Sequence, residues 1–156
     1  MAERTSGEIT INASADTVMD VIADLPAYPQ WSDGMEEVVV LESYPDGRPK
    51  IAKFFFNPGP IADTFILSYM WDGSRSVSWI LTEGTVVKAQ EGTYTLAAQP
   101  DGSLLVTYQL MVELSIPMIG KIRSRAEKMI VKTALAGLKK RVETSGIDDE
   151  EDQRNV

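Results

Sequence analysis

The stretch Ile9–Trp31, ITINASADTVMDVIADLPAYPQW, decides how the rest of the chain reads. Ile9 and Ile11 flank Thr10 in a short strand. Asn12 and Ser14 then offer side-chain oxygens to the free amides of a helix start, and Asp16 in the first turn suits the positive end of the helix dipole. Val18, Val21, Ile22 and Leu25 recur at helical spacing, so one face packs inward. Pro26 and Pro29 break that regularity and leave a short second helix carrying an aromatic pair, Tyr28 and Trp31.

From there to Leu114 the chain reads as strand. Met35–Ser43 is rich in Val and ends at Tyr44-Pro45-Asp46-Gly47, where Pro presets φ and Gly tolerates a positive φ. Lys50–Phe56 stops at Asn57-Pro58-Gly59-Pro60, and Ala62–Asp72 stops at Asp72-Gly73. Ser76–Glu83 turns at Gly84 into Thr85–Ala98, and Pro100-Asp101-Gly102 turns that segment into Leu104–Leu114. Parallel neighbours need crossovers of about a dozen residues, and these linkers are far shorter, so an antiparallel sheet of seven strands is expected.

Alternation along each strand assigns its faces. Lys53 belongs outside, which turns Ala52, Phe54 and Phe56 inward. In the next strand the bulkier set, Phe65, Leu67, Tyr69 and Trp71, is placed inside. Val77, Trp79 and Leu81 follow, then Tyr108, Leu110 and Val112. Thr85–Ala98 is left unassigned because Gly92 suggests a bulge. The inner surface is thus aromatic and aliphatic, with phenols at Tyr28, Tyr69 and Tyr108 and the indole N–H of Trp79. Such a set is either a filled core or the lining of an apolar pocket with a few oriented polar groups.

A closing helix is expected from after Pro117 to about Thr144, with Gly146 as its stop. Lys121, Arg125, Lys128, Lys132 and Lys139 form one stripe, read as the solvent face. Ile119, Ile122, Ala126, Met129, Ile130 and Thr133 form an apolar face over the first half, expected to cover the sheet. Leu135, Leu138 and Val142 extend it toward the strand ends or the N-terminal helices.

At 156 residues with 44% hydrophobic and 24% charged side chains, residues 1–146 suit one globular domain. No internal repeat or membrane-spanning run is found. The net charge of −8 argues against a nucleic-acid partner. Half of that charge sits in Asp148–Arg154, so residues 147–156 read as an acidic disordered tail. The charged N-terminus, MAERTSGE, lacks an apolar leader, and a cytoplasmic protein is expected, as a monomer or weak homodimer.

The segment Ser14–Trp31, followed by the Val-rich strand, the Pro-Asp-Gly turns and an amphipathic terminal helix, resembles the START-like, or SRPBCC, superfamily. Within it the resemblance is to the polyketide cyclase/dehydrase and lipid-transport branch, over about Thr5 to Val142. Asp24–Trp31, Asp-Leu-Pro-Ala-Tyr-Pro-Gln-Trp, fits that family's D-x-x-x-aromatic-P pattern. The resemblance implies an α+β helix-grip fold: a curved sheet wrapped around a long C-terminal helix, with a deep cavity between them. It also implies that Tyr28 lies near the entrance and that Tyr108, Leu110 and Val112 line the cavity. In aromatase/cyclase members a pocket arginine polarises the poly-β-keto chain; Tyr69 stands about where that arginine would be.

The chain has no His and no Cys, so neither a Ser-His nor a Cys-His nucleophile can be assembled. No phosphate-cradling glycine motif and no metal-loop spacing occurs. Glu36-Glu37 reads as a solvated strand start, and Arg123 with Glu127 as an ion pair one turn apart. No catalytic residue, metal or cofactor is therefore expected. The expected function is to carry or sequester a hydrophobic small molecule such as a lipid, polyketide or isoprenoid-like compound. A cyclase or dehydratase working through phenols and water is the alternative, and a filled interaction module the second. The expected ligand-binding residues are Tyr28, Trp31, Phe54, Phe56, Phe65, Leu67, Tyr69, Trp79, Tyr108, Leu110, Val112, Ile122, Met129 and Thr133.

Overall fold

The computed structural model describes residues 4–57, 62–115 and 120–154, with side chains of the last segment described for 124–144. The strands are β1 (Thr5–Ile11), β2 (Met35–Ser43), β3 (Pro49–Phe56), β4 (Asp63–Asp72), β5 (Ser76–Glu83), β6 (Val87–Ala98) and β7 (Leu104–Leu114). Helix α1 spans Ala15–Ala23, a 3₁₀ helix spans Leu25–Gln30, and α2 spans Gly120–Arg154. The strands form one antiparallel sheet in the order β1-β7-β6-β5-β4-β3-β2. Each strand from β2 to β7 is thus hydrogen-bonded to the next in sequence; Gly47 and Gly102 of the two Pro-Asp-Gly turns both take φ +91°.

The chain passes from the β1 edge to the β2 edge through α1 and the 3₁₀ helix. Ser14 is the N-cap, its hydroxyl accepting from the Thr17 N–H at 3.2 Å. Val18, Met19 and Ile22 bury the inner face of α1, and Leu25 continues that face into the 3₁₀ helix. The 3₁₀ helix lies beside β2, which places Tyr28 and Trp31 at the margin of the sheet's inner face.

Gly92 does not mark a bulge. It pairs in register with Trp79 on β5 and Leu110 on β7, and the irregularity in β6 lies between Val87 and Ala89. The glycine is there because the Trp79 indole lies against its backbone: a Cβ at position 92 would sit 2.2 Å from Trp79 Cε2.

The closing helix is turned relative to the expected orientation. Its buried stripe is Glu127, Val131, Leu135, Leu138 and Val142. Met129 is 66% exposed, Ile130 is 37% exposed, and Thr133 is also exposed. Ile119 lies outside the described residues, as does the side chain of Ile122. The reason is a polar contact that hydropathy cannot register. The Glu127 carboxylate, 3% exposed, accepts from the Val112 backbone N–H at 2.8 Å and from the Thr5 hydroxyl at 3.1 Å. That draws α2 onto β1 and β7, where Val131 packs on Gly7. The second half meets the N-terminal helices, as expected, with Gly137 against Trp31. The Arg123 side chain, expected to pair with Glu127, lies outside the described residues.

Gly146 does not end α2, which continues to Arg154. One glycine in a helix interior costs only about 1 kcal/mol, and no proline follows to force a stop. The last buried residue described on α2 is Val142.

Two stability measurements test this architecture. Gly92→Ala forces a methyl into the Trp79 ring and is expected to lower unfolding free energy by about 1–3 kcal/mol; denaturant unfolding beside the parent reads it. Removing residues 147–156 is expected to shift the melting temperature by less than about 4 °C, because a strongly acidic segment with little apolar area has little to bury.

Candidate functional site

The inner face of the sheet carries a continuous aromatic band. Phe56 meets Phe65 edge-on at 6.2 Å between ring centroids, and Phe65 stacks on Phe54 at 5.5 Å. Tyr69 lies 6.4 Å from Phe54 and 5.7 Å from Trp79. Trp79 in turn lies 5.5 Å from Tyr94 and 5.7 Å from Tyr108, which approach each other to 4.5 Å. The strand register creates this band. Phe54 pairs with Phe65, Tyr69 with Trp79, and Tyr94 with Tyr108, so the rings fall on the same face of neighbouring strands.

The expected inward residues are placed as follows. Phe54, Phe65, Leu67, Tyr69, Trp79, Tyr108 and Leu110 are all buried on this face. Phe56 and Val112 are partly buried at its margin and pack on the core. Tyr28 packs on the core from the 3₁₀ helix, and its hydroxyl donates to the Ile22 carbonyl at 2.5 Å, so that phenol is engaged by backbone. Trp31, 4.8 Å from the Tyr28 ring, lies between the 3₁₀ helix and α2. There it lines a cleft of about 320 Å³ together with Pro29, Gln30, Ser32, Asp33, Gly137, Lys140, Arg141 and Thr144. Met129 and Thr133 point away from the sheet with the outer face of α2, for the reason given above. Glu36 and Glu37 are both exposed, as a solvated strand start requires.

Tyr94 belongs to this aromatic band and is not among the expected lining residues. The signal was present: Gly92, Tyr94 and Leu96 alternate with Thr93 and Thr95. The supposed bulge at Gly92 concealed it.

The polar groups of this face are unevenly satisfied. The Trp79 and Trp31 indole N–H groups are enclosed and have no hydrogen-bond partner among the described residues. Among the described residues, no partner is found for the phenol oxygens of Tyr69, Tyr94 and Tyr108, whereas Tyr28 has one. All four phenols have their pKa raised above the ordinary value near 10, chiefly by burial. Repulsion adds to it, because Tyr69 faces Tyr108 and Tyr94, and Tyr94 faces Tyr108 and Tyr28. These groups therefore stay protonated at neutral pH. They can donate a hydrogen bond to an oxygen and are poorly suited to taking a proton. Among the described residues no group of three His, Cys, Asp or Glu side chains is placed to hold a metal.

A seven-stranded antiparallel sheet with one long C-terminal helix packed on it, and two short helices between β1 and β2, is the START-like helix-grip architecture. A START superfamily protein from Mycobacterium smegmatis superposes with a TM-score of 0.83 at 24% identity, covering 90% of this chain and 97% of that one. A protein from Thermus thermophilus gives 0.75 at 20% identity, over 92% and 99%. The Zhui aromatase/cyclase from a Streptomyces species gives 0.71 at 16% identity, over 92% and 94%. At these identities the likeness establishes the fold. No curated protein sequence matches. The sequence itself matches the family model for polyketide cyclase / dehydrase and lipid transport over residues 11–139, and the chain belongs to that family. Among the described residues no helix is long and apolar enough to cross a membrane.

The raised phenol pKa values carry a sign. Below about pH 10 the folded and unfolded chains both keep these four protons, and the phenols leave stability unchanged. Above it the unfolded chain releases protons that the folded one retains, so stability falls as pH rises. Absorbance of ionised tyrosine, followed with circular dichroism, is expected to show the buried phenols ionising together with unfolding. Reversible ionisation of all of them near pH 10 in a folded protein would contradict their burial.

Proposed function

We propose that this protein binds one hydrophobic small molecule between the inner face of the sheet and α2, as a carrier or sequestering protein. The observation that carries the reading is the aromatic band with its phenols at Tyr69, Tyr94 and Tyr108, which lack protein partners among the described residues. An apolar ligand gains about 25 cal/mol for each Å² it buries there, before ordering costs. A phenol that donates to a ligand oxygen adds orientation. The Phe54, Phe65, Leu67 and Leu110 side chains supply the walls, and Tyr28 holds the margin through its bond to the α1 end. Cyclase or dehydratase chemistry is the second reading. The fold shared with the aromatase/cyclase favours it, and the protonated state of the phenols weighs against their acting as bases.

The test pairs binding with stability. An environment-sensitive apolar dye bearing a carbonyl group is expected to bind the folded chain at about one per protein. Tyr69→Phe, Tyr94→Phe and Tyr108→Phe are each expected to weaken that binding by about 0.5–1.5 kcal/mol while leaving unfolding free energy nearly unchanged. If the interior is filled, the same changes strand protein partners and cost about 1–3 kcal/mol of stability with no effect on dye affinity. That outcome would remove the pocket, and turnover of a polyketide mimic by the parent would move the reading to the enzyme.

A further inference from the structure

The charge of this chain is strongly segregated. Of fifteen basic residues, eight lie between Lys121 and Arg141, and that stretch holds one acidic residue, Glu127. The remaining twenty-two acidic residues lie elsewhere. Glu127 is buried and engaged by Val112 and Thr5, so it does not offset the cations at the surface. On a chain of net charge −8, one helix thus presents a basic face.

The same face is also apolar. Arg125, Lys128 and Lys132 are exposed, and Met129 lies among them at 66% exposure, while Ile130, 37% exposed, sits about 100° further round the helix. At 100° per residue, Arg125, Met129 and Lys132 fall within about 60° of one another. The buried stripe Glu127, Val131, Leu135, Leu138 and Val142 is centred roughly 130° round the helix from that trio. An exposed apolar side chain set among cations suits a helix that lies against a lipid headgroup layer: the cations meet anionic lipid and Met129 reaches the acyl boundary. A nucleic acid would use the cations and leave Met129 without a role.

We propose that the outward face of α2 around Arg125–Lys132 docks reversibly on an anionic lipid surface. The acidic run Asp148–Asp152 on the same helix does not prevent this. At 1.5 Å per residue it begins roughly 30 Å from Met129 along the axis, several times the screening length of about 8 Å at physiological salt. One apolar side chain buries little area, so attachment is driven by charge and weakens as salt rises. The docking face is the outer side of α2 and stands independently of what the interior holds.

Co-sedimentation of the full chain with lipid vesicles tests it. Binding is expected to vesicles of phosphatidylcholine mixed with phosphatidylglycerol, to be absent from phosphatidylcholine alone, and to fall with added salt. Each cation near the surface is worth about fivefold in partitioning, so Arg125→Glu/Lys128→Glu/Lys132→Glu is expected to lower it by at least about 100-fold. Met129→Ser is expected to weaken it by a few fold. The pair Lys50→Glu/Lys53→Glu, on β3, alters net charge elsewhere and is expected to retain most of the binding; thermal melts establish that each variant is folded. Equal binding to both vesicle types, an unaffected triple variant, or an equally large loss in the β3 pair would overturn the proposal. Binding to duplex DNA through the same three cations, without binding to vesicles, would overturn it in favour of a nucleic-acid surface.

Discussion

The orientation of α2 depends on one buried carboxylate. A sheet with an apolar inner face needs a cover, and many rotations of an amphipathic helix would supply one. Glu127 selects among them. Its oxygens accept from the Val112 N–H on β7 and the Thr5 hydroxyl on β1. The first of these lies just past the β1–β7 pairing, which begins at Thr5 and Leu110. A buried carboxylate left without donors costs several kcal/mol, so once it is inside, the helix has little freedom to roll. Val131 against Gly7 and Leu138 in the core follow from that rotation. So does the outward placement of Met129 and Ile130.

The opposite wall is organised by cross-strand pairing of rings. Phe54 with Phe65, Tyr69 with Trp79, and Tyr94 with Tyr108 each place two aromatic side chains on one face of adjacent strands. Gly92 makes room for the largest of them. The result is an apolar wall studded with neutral hydrogen-bond donors: phenols held protonated by burial, and an enclosed indole. Such a wall can donate hydrogen bonds to an oxygen, and its protonated phenols are poorly suited to taking a proton. The family includes both enzymes and lipid-transport proteins, so family membership leaves the choice between them to the site.

Most of the fold was legible because its signals are local. Alternation assigned the inner faces of β3, β4, β5 and β7, and the Pro-Asp-Gly turns fixed where hairpins close. Ser14 could be read as a cap because its hydroxyl bonds three residues ahead. The errors arose where the deciding contact is distant in sequence. Gly92 answers to Trp79 across the sheet, and a lone glycine in a strand otherwise suggests a bulge. The face of α2 was misjudged because a glutamate counts as polar in any periodicity argument, and its partners lie on two separate strands. Met129 and Thr133 were therefore expected among the lining residues, and Tyr94 was not. Gly146 was expected to stop a helix that runs on to Arg154. Phe54, Phe65, Tyr69, Trp79 and Tyr108 were placed inward because each strand carries its own evidence of which side faces in.

The central claim is the proposed binding of a small apolar molecule against this aromatic wall. Native mass spectrometry of the freshly purified chain, followed by solvent extraction and mass analysis of what is released, tests it most directly. The account predicts a second species one ligand heavier than the bare chain, converted to the bare mass on mild activation, with an apolar, oxygen-bearing compound in the extract. A bare chain that also retains none of a panel of lipids and polyketide-like compounds added in excess would contradict it.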